Sequence, residues 1–252
     1  MFQKIRVETV LGLILIVAMG LLATKGIEEA AAAMAATTVS RGAVTETEGQ
    51  MQTEGKSKET ADNTVVIDAG HGGRDPGKEG LNGAIEKDIN LSIAKKLQNY
   101  LEQEGVKVVM IREDENGLYD ESASNKKQDD MRKRCAIIEE TDPDLTVSIH
   151  QNSYHSESVS GPQVFYYSKS QEGAKIAGVI QSVLNEQLQA ESSRSEKGNE
   201  TYYLLMKTTS PTVIVECGFL SNNAEAAKLT TQEYQEQVAK AICDGILKCL
   251  KE

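Results

Sequence analysis

The 252-residue chain contains no tryptophan, and aromatic residues make up only 4% of it. Broad stacking platforms for bases or for flat sugar faces are therefore scarce. Positively charged residues are outnumbered as well. The chain has 27 Lys and Arg residues and 38 Asp and Glu residues, which gives a net charge of −11. Since nucleic-acid binding requires a basic surface, we exclude nucleic acid as a partner.

Cysteine is rare as well, with four residues in the chain. So few cysteines do not make a disulfide framework in a chain of this length. Cys243 and Cys249 lie on one predicted helix, too far apart along its axis to be bridged. Cys135 and Cys217 could meet only through folding. We therefore expect free thiols.

The N-terminal segment has the pattern of an export signal. Lys4 and Arg6 precede an apolar run over residues 10–23, and small residues follow over 30–36. As a helix this run would span roughly 21 Å, less than the ~30 Å hydrocarbon core of a bilayer. Residues 1–36 are thus predicted to be a signal peptide, with an uncleaved membrane anchor as the alternative. Either way the protein is expected outside the cytoplasm, secreted or anchored at the cell envelope, with no other membrane contact.

A polar segment separates this signal from the folded part. Residues 37–63 are rich in Thr, Glu, Lys, Gln and Gly, so they are predicted to be a flexible linker. From residue 64 onward, short β-branched runs alternate with stretches of helical period. Residues 64–252 are therefore predicted to form a single folded domain of ordinary size.

Within this domain the predicted strands alternate with predicted helices. The strands cover residues 64–67, 106–111, 145–149, 163–167, 202–205 and 212–215. The helices include residues 89–101, 129–139, 172–188 and 232–250. This alternation predicts an α/β fold with a mostly parallel, roughly six-stranded twisted sheet and helices on both faces. Ligands of such folds gather at the carboxyl ends of the strands.

Two of the three histidines come immediately after predicted buried strands. His71 ends Val-Val-Ile-Asp-Ala-Gly-His and is followed by two glycines, and His150 ends Leu-Thr-Val-Ser-Ile-His. Glu86, in the first turn of the next predicted helix, is the best candidate for a third ligand. Two imidazoles and one carboxylate leave the fourth tetrahedral position open, which is typical of a catalytic zinc site. The ligand types favour one Zn²⁺ ion over manganese or iron.

Glu216 ends another apolar strand, Thr-Val-Ile-Val-Glu. A charged group after buried residues is costly unless it has a function or a partner. We assign Glu216 as the general base and acid, which takes a proton from the attacking water and delivers it to the departing nitrogen. The alternative for each of these residues is purely structural. A thiol mechanism through Cys217 is disfavoured, because its base would have to be a histidine already committed to the metal.

Read together, four motifs resemble the zinc N-acetylmuramoyl-L-alanine amidases of the Amidase_3 family over about residues 64 to 252. They are Val-Val-Ile-Asp-Ala-Gly-His-Gly-Gly, Gly-Ala-Ile-Glu-Lys-Asp-Ile-Asn-Leu, Ser-Ile-His-Gln-Asn and Val-Glu-Cys-Gly-Phe-Leu-Ser-Asn. The resemblance implies that His71, Glu86 and His150 bind zinc, that Glu216 is the catalytic acid/base, and that the substrate is peptidoglycan. The bond implied is the amide between N-acetylmuramic acid and L-alanine. Two further stretches, Ile-Arg-Glu-Asp-Glu-Asn-Gly-Leu-Tyr-Asp and Asp-Asp-Met-Arg-Lys-Arg-Cys-Ala-Ile-Ile, resemble a sporulation subgroup that prepares cortex peptidoglycan for muramic-lactam formation.

Four residues near these motifs keep two interpretations each. Asp68 either holds the second ring nitrogen of a metal histidine or only ends its strand. Asn152 either orients substrate or caps a turn. Arg112 and Arg134 are either contacts or salt bridges in the core, or ordinary surface arginines.

Two other functions remain open from the sequence. A zinc peptidase that acts on the stem peptide would use the same metal chemistry on a different amide. An inactive wall-binding module would keep the fold without turnover. An activating partner protein is also a possibility, because the chain has no recognisable wall-binding repeat.

Overall fold

The computed structural model describes residues 63–189 and 192–251, so the predicted signal peptide and nearly all of the predicted linker lie outside it. In the described ranges the elements follow in the order β1 (Thr64–Ala69), α1 (Glu86–Gln103), β2 (Lys107–Met110), α2 (Lys126–Thr141), β3 (Leu145–Asn152), β4 (Gln163–Tyr167), α3 (Gln171–Gln187), β5 (Lys197–Asn199), α4 (Tyr203–Lys207), β6 (Thr212–Phe219), α5 (Asn223–Leu229) and α6 (Gln232–Cys249). None of the helices in these ranges is both long enough and apolar enough to span a bilayer.

All six strands belong to one sheet, in the order β2-β1-β3-β6-β4-β5. The first four strands in this order, β2, β1, β3 and β6, run parallel to one another. β4 pairs with β6 in the antiparallel direction, and β5 runs parallel to β4. The predicted α/β fold with a mostly parallel, six-stranded sheet is thereby confirmed. The carboxyl ends of β1, β3 and β6 lie side by side at one edge.

The two faces of this sheet differ in chemistry. Successive side chains of a strand point to opposite faces. On β1, Val65 and Ile67 join the large apolar cluster formed with α1, α3 and α6, which we call the core face. Val66 joins a smaller cluster with Ile138 of α2 and Leu204 of α4, on what we call the site face.

α1 shows how the core face is built from the sequence. Its apolar residues recur every four positions, and Ile89, Ile93, Leu97 and Leu101 are all buried. This is the stripe expected of a helix that packs on a sheet. The helix begins at Glu86, three residues before the predicted start, and Gly105 follows its end with a positive φ of 81°.

The predicted strand over residues 202–205 is wrong. Tyr202 precedes the short helix α4, and residues 203–205 belong to it. The sixth strand of the sheet is instead β5, which consists of Lys197–Asn199. A short apolar run does not distinguish a strand from a buried helical turn. β5 has no apolar residue in its Lys-Gly-Asn sequence, so it left no hydrophobic signal. Helix α5 was not predicted either.

Candidate metal centre and active site

Three predicted ligands converge at the carboxyl edge of the sheet. His71 follows β1, His150 lies near the end of β3, and Glu86 opens α1. Glu86 Oε1 lies 3.2 Å from His71 Nε2 and 3.0 Å from His150 Nδ1. Ligand atoms on a tetrahedral zinc ion are about 3.4 Å apart, given metal–ligand distances near 2.1 Å. In the part of the chain that the structure describes, this is the one cluster of His, Cys, Asp or Glu side chains suited to a metal ion.

The turn after β1 brings the two imidazoles together. His71 has a positive φ of 63°, which L-residues rarely adopt. Position 70 requires glycine, because a Cβ there would overlap the His150 ring. The ring centroids of His71 and His150 are consequently 4.9 Å apart, in an edge-to-face arrangement.

Glu86 is held by backbone donors as well as by the histidines. Its Oε2 accepts a hydrogen bond from Lys78 N at 2.7 Å, and its Oε1 accepts one from Gln151 N at 3.1 Å. Burial alone would raise the pKa of Glu86, but the bonds to His150 and His71 hold that pKa well below its usual range. The carboxylate is therefore ionised and fixed in position.

Asp75 holds the other side of His71, and sequence reasoning missed it. Asp75 Oδ2 lies 3.1 Å from His71 Nδ1, which leaves Nε2 directed at Glu86. Burial lowers the pKa of His71, but hydrogen bonds to Asp75 and Glu86 outweigh it and raise that pKa to about 9. The available signal was its place in the same glycine-rich loop, four residues after the histidine.

Glu216 lies on β6 directly beside His150 in the β3–β6 register. It is 7% exposed, and its Oε2 has no hydrogen-bond partner among the described residues. Burial raises the pKa of Glu216 to about 7. A carboxyl group with this pKa can both accept and donate a proton near neutral pH.

A cavity of about 540 Å³ opens from this cluster across the site face of the sheet. His71, His150 and Glu216 lie among its lining residues, together with Asp68, Ser148 and Ile214 of the strands. Side chains of α2 and of the segment 201–204 line it as well. Two of the predicted metal ligands, His71 and His150, thus share one substrate-sized space with the predicted acid/base.

The four residues with open interpretations are now placed. Asp68 is bonded to Arg134 and to Ser148, so its expected role on a histidine falls to Asp75 instead. Asn152 ends β3, and its Oδ1 accepts a hydrogen bond from Ser153 N at 2.8 Å. Arg112 and Arg134 are buried, with 5% and 1% exposure, so neither is a surface arginine.

Two residues outside the cluster have no part in it. His155 stacks on the exposed Tyr154 ring, with centroids 4.0 Å apart. Cys217 is fully buried, and burial raises the pKa of its thiol far above the usual value. A thiolate nucleophile at this position is therefore disfavoured. All four cysteines lie in the described ranges and none of them forms a disulfide bond, as expected.

Fold and site together define a class: a single α/β domain that carries a two-histidine, one-carboxylate cluster suited to a metal ion and a buried glutamate at the carboxyl edge of its sheet. Residues 65–248 match the family described as N-acetylmuramoyl-L-alanine amidase, Amidase_3. The chain belongs to this family of amidases. The resemblance stated from the four motifs is thereby confirmed.

Individual relatives agree with this assignment. The germination-specific N-acetylmuramoyl-L-alanine amidase of Bacillus subtilis (strain 168) is 38% identical over 191 residues, which are 75% of this chain and 80% of the relative. The CwlD amidase from Clostridioides difficile, solved in complex with the GerS lipoprotein, is 37% identical in sequence to this chain. The two structures superpose with a TM-score of 0.73 over 75% of this chain and 98% of the CwlD chain. The amidase AmiC2 of Nostoc punctiforme is 33% identical with a TM-score of 0.67, covering 76% of this chain and 98% of its own. The predicted likeness to the sporulation subgroup is confirmed by the first two.

Proposed function

We propose that this chain is a zinc-dependent amidase in which His71, Glu86 and His150 bind one Zn²⁺ ion and Glu216 is the general base and acid. The observation that carries the proposal is the convergence of three ligand side chains, remote in sequence, beside the buried Glu216, whose Oε2 has no hydrogen-bond partner among the described residues. A closed structural site would have four protein ligands, whereas three leave room for water.

Glu216, Asp75 and His71 have separate roles in the proposed reaction. When bound, zinc polarises the substrate carbonyl and lowers the pKa of water to about 7. Glu216 accepts a proton from the attacking water and delivers it to the amide nitrogen as the bond breaks. Asp75 keeps Nδ1 of His71 engaged, so that Nε2 faces the ion.

The substrate we propose is the amide between N-acetylmuramic acid and L-alanine of peptidoglycan, in the spore cortex. The likeness to a germination-specific amidase supports this choice. Cleavage there would free the muramic acid for lactam formation. Because the CwlD structure was solved in complex with the GerS lipoprotein, we propose that a partner protein binds this chain and activates it.

Peptidoglycan lies outside the cytoplasm, which supports an extracytoplasmic location. We propose residues 1–36 as signal peptide or membrane anchor, 37–63 as linker and 64–252 as the catalytic domain. Cell fractionation with N-terminal sequencing of the mature chain would test these bounds. A mature chain that starts at Met1 in the cytoplasmic fraction would contradict them.

The decisive experiment is digestion of purified peptidoglycan with the full chain, followed by identification of the ends released. We expect new L-alanine amino termini and free muramic acid carboxyls, lost on chelation and restored by zinc. Other amino termini would indicate a stem-peptide peptidase, and binding without release would indicate an inactive wall-binding module.

The cortex role needs a separate test. Expression in a Bacillus subtilis strain that lacks its germination-specific amidase should restore muramic lactam to the cortex. Amidase activity in vitro without such restoration would place the enzyme elsewhere in wall metabolism.

A further inference from the structure

Two buried guanidinium groups lie beneath the turn that carries His71. Arg112 follows β2, and Arg134 lies in the middle of α2, so they come from separate parts of the chain. Burial and the neighbouring Arg134 lower the pKa of Arg112, but only to about 10. Both groups are therefore cations at neutral pH, and a buried cation is costly unless it is well bonded.

Both guanidinium groups donate to the same short stretch of backbone. Arg112 Nε donates to the carbonyl of Ala69 at 2.7 Å, and its second terminal nitrogen donates to that of Gly70 at 3.1 Å. Arg134 donates to the carbonyl of Ala69 at 3.0 Å and to that of His71 at 2.6 Å. Three consecutive carbonyls are thus bound by two planar cations.

This stretch is where the backbone needs support. The sheet ends at Ala69, and His71 adopts the left-handed conformation with φ of 63°. A non-glycine residue in that region is strained and persists only where the surroundings enforce its conformation. Hydrogen bonds to the carbonyls on both sides of residue 71 supply that enforcement.

Arg112 connects this turn to the helix that carries Glu86, while its other terminal nitrogen donates to the carbonyl of Asp114 at 2.7 Å. Arg112 also donates to the carbonyl of Lys87 at 2.8 Å, one residue after Glu86. It therefore ties the start of α1 to Gly70 through one rigid group. The Arg134 guanidinium is held in place by ion pairs with Asp68 and Asp130.

We propose that Arg112 and Arg134 are positioning residues for the metal centre, which set the His71 turn against the start of α1. The inference rests on the proposed function for its zinc readout only. A lysine retains the charge but not the planar fork that reaches two carbonyls at once. Arg112→Lys and Arg134→Lys should therefore loosen the turn while they leave the core face unchanged.

The test uses the full chain with Arg112→Lys and Arg134→Lys separately, and Arg132→Lys as the matched control. Arg132 lies on the same helix with a largely exposed side chain paired to Asp129. In the metal-free protein, hydrogen exchange of peptides covering residues 69–73 should speed up in both test variants, with α3 and α6 unchanged. Zinc affinity, measured by competition with a chelator, should fall by about 10–100-fold, as for other residues that orient ligands.

A double-variant comparison separates positioning from general destabilisation. In a His71→Asn background, where this ligand is already lost, Arg134→Lys should lower zinc affinity no further, and Arg112→Lys should lower it less than in the wild-type background because it still acts at the start of α1. Equal losses in both backgrounds, exchange that rises throughout the domain, or failure of both variants to fold would overturn the proposal. Wild-type protein that binds no zinc would instead overturn the proposed function, while the exchange result would still decide the role of the arginines.

Discussion

The two faces of the sheet use the same strands for opposite purposes. On β3, Val147 and Ile149 are buried in the core face, whereas the alternating Ser148 and His150 belong to the site face. On β6, Val215 belongs to the core face and Glu216 to the cavity. Because adjacent residues serve different faces, substitutions one position apart should differ in kind: one should lower stability and the other should lower turnover.

The largest contrast is expected for Glu216→Gln on the site face. Loss of the acid/base group should lower turnover by about 10²–10⁴-fold, with zinc still bound. Stability should stay level or rise, because the substitution removes a buried carboxyl group with an unbonded oxygen. Turnover on peptidoglycan fragments, zinc content and the melting temperature together test this, with the exposed Glu233→Gln as control. Near-normal turnover would contradict the assignment.

The reverse result is expected for Leu184→Ala on the core face. Leu184 of α3 is fully buried in the large apolar cluster. The substitution should lower the free energy of unfolding by about 2–5 kcal/mol. Denaturant unfolding measures this loss, while turnover and zinc affinity well below the melting temperature should match wild type. A variant with normal stability but reduced zinc affinity would break the division between the faces.

A smaller effect is expected for Asp75→Ala, which leaves all three ligands in place. Without its partner at Nδ1, His71 can rotate, and zinc affinity should fall by about 10–100-fold. Chelator competition measures the change. Asp244→Ala, which removes a carboxylate bonded to Lys240 and Gln187 on the far helices, is the matched control. Equal losses in the two variants would rule out a specific role for Asp75.

The smallest effect is the dependence of zinc affinity on pH. The pKa of His71 is raised from its ordinary 6.5 to about 9 in the metal-free protein, so zinc must displace a proton below that pH. Affinity should therefore rise by about tenfold per pH unit between pH 7 and 8.5, and level off above pH 9. The metal-free protein should lose the stability due to this group as pH rises through the same window. In Asp75→Ala the rise should level off at a lower pH, and a flat profile in wild type would contradict the shift.

Much of this site could be predicted because two of its ligands and its acid/base group stand at or near the carboxyl ends of strands. His71, His150 and Glu216 each follow an apolar run, and parallel strands bring their carboxyl ends to one edge. Pattern and topology together were therefore enough to place them. Asp75 was missed because its contact with His71 depends on the turn conformation rather than on any periodic pattern.

The arginines show a different limit. Their main partners are backbone carbonyls, which every residue possesses, so no residue type in the sequence identifies the contact. β5 was missed for a related reason. Its three polar residues pair with β4 through backbone alone, and only the neighbouring strand defines it.

The direction of β1 determines where a polypeptide that precedes the domain is attached. Its first residue, Thr64, lies at the amino edge of the sheet, and the strand then runs roughly 20 Å, at about 3.3 Å per residue, before it reaches the His71 turn. Any polypeptide joined ahead of Thr64 is thus attached at the end of the strand remote from the catalytic cavity. A carrier protein or solid support coupled there should leave the cavity mouth free for a polymeric, insoluble wall.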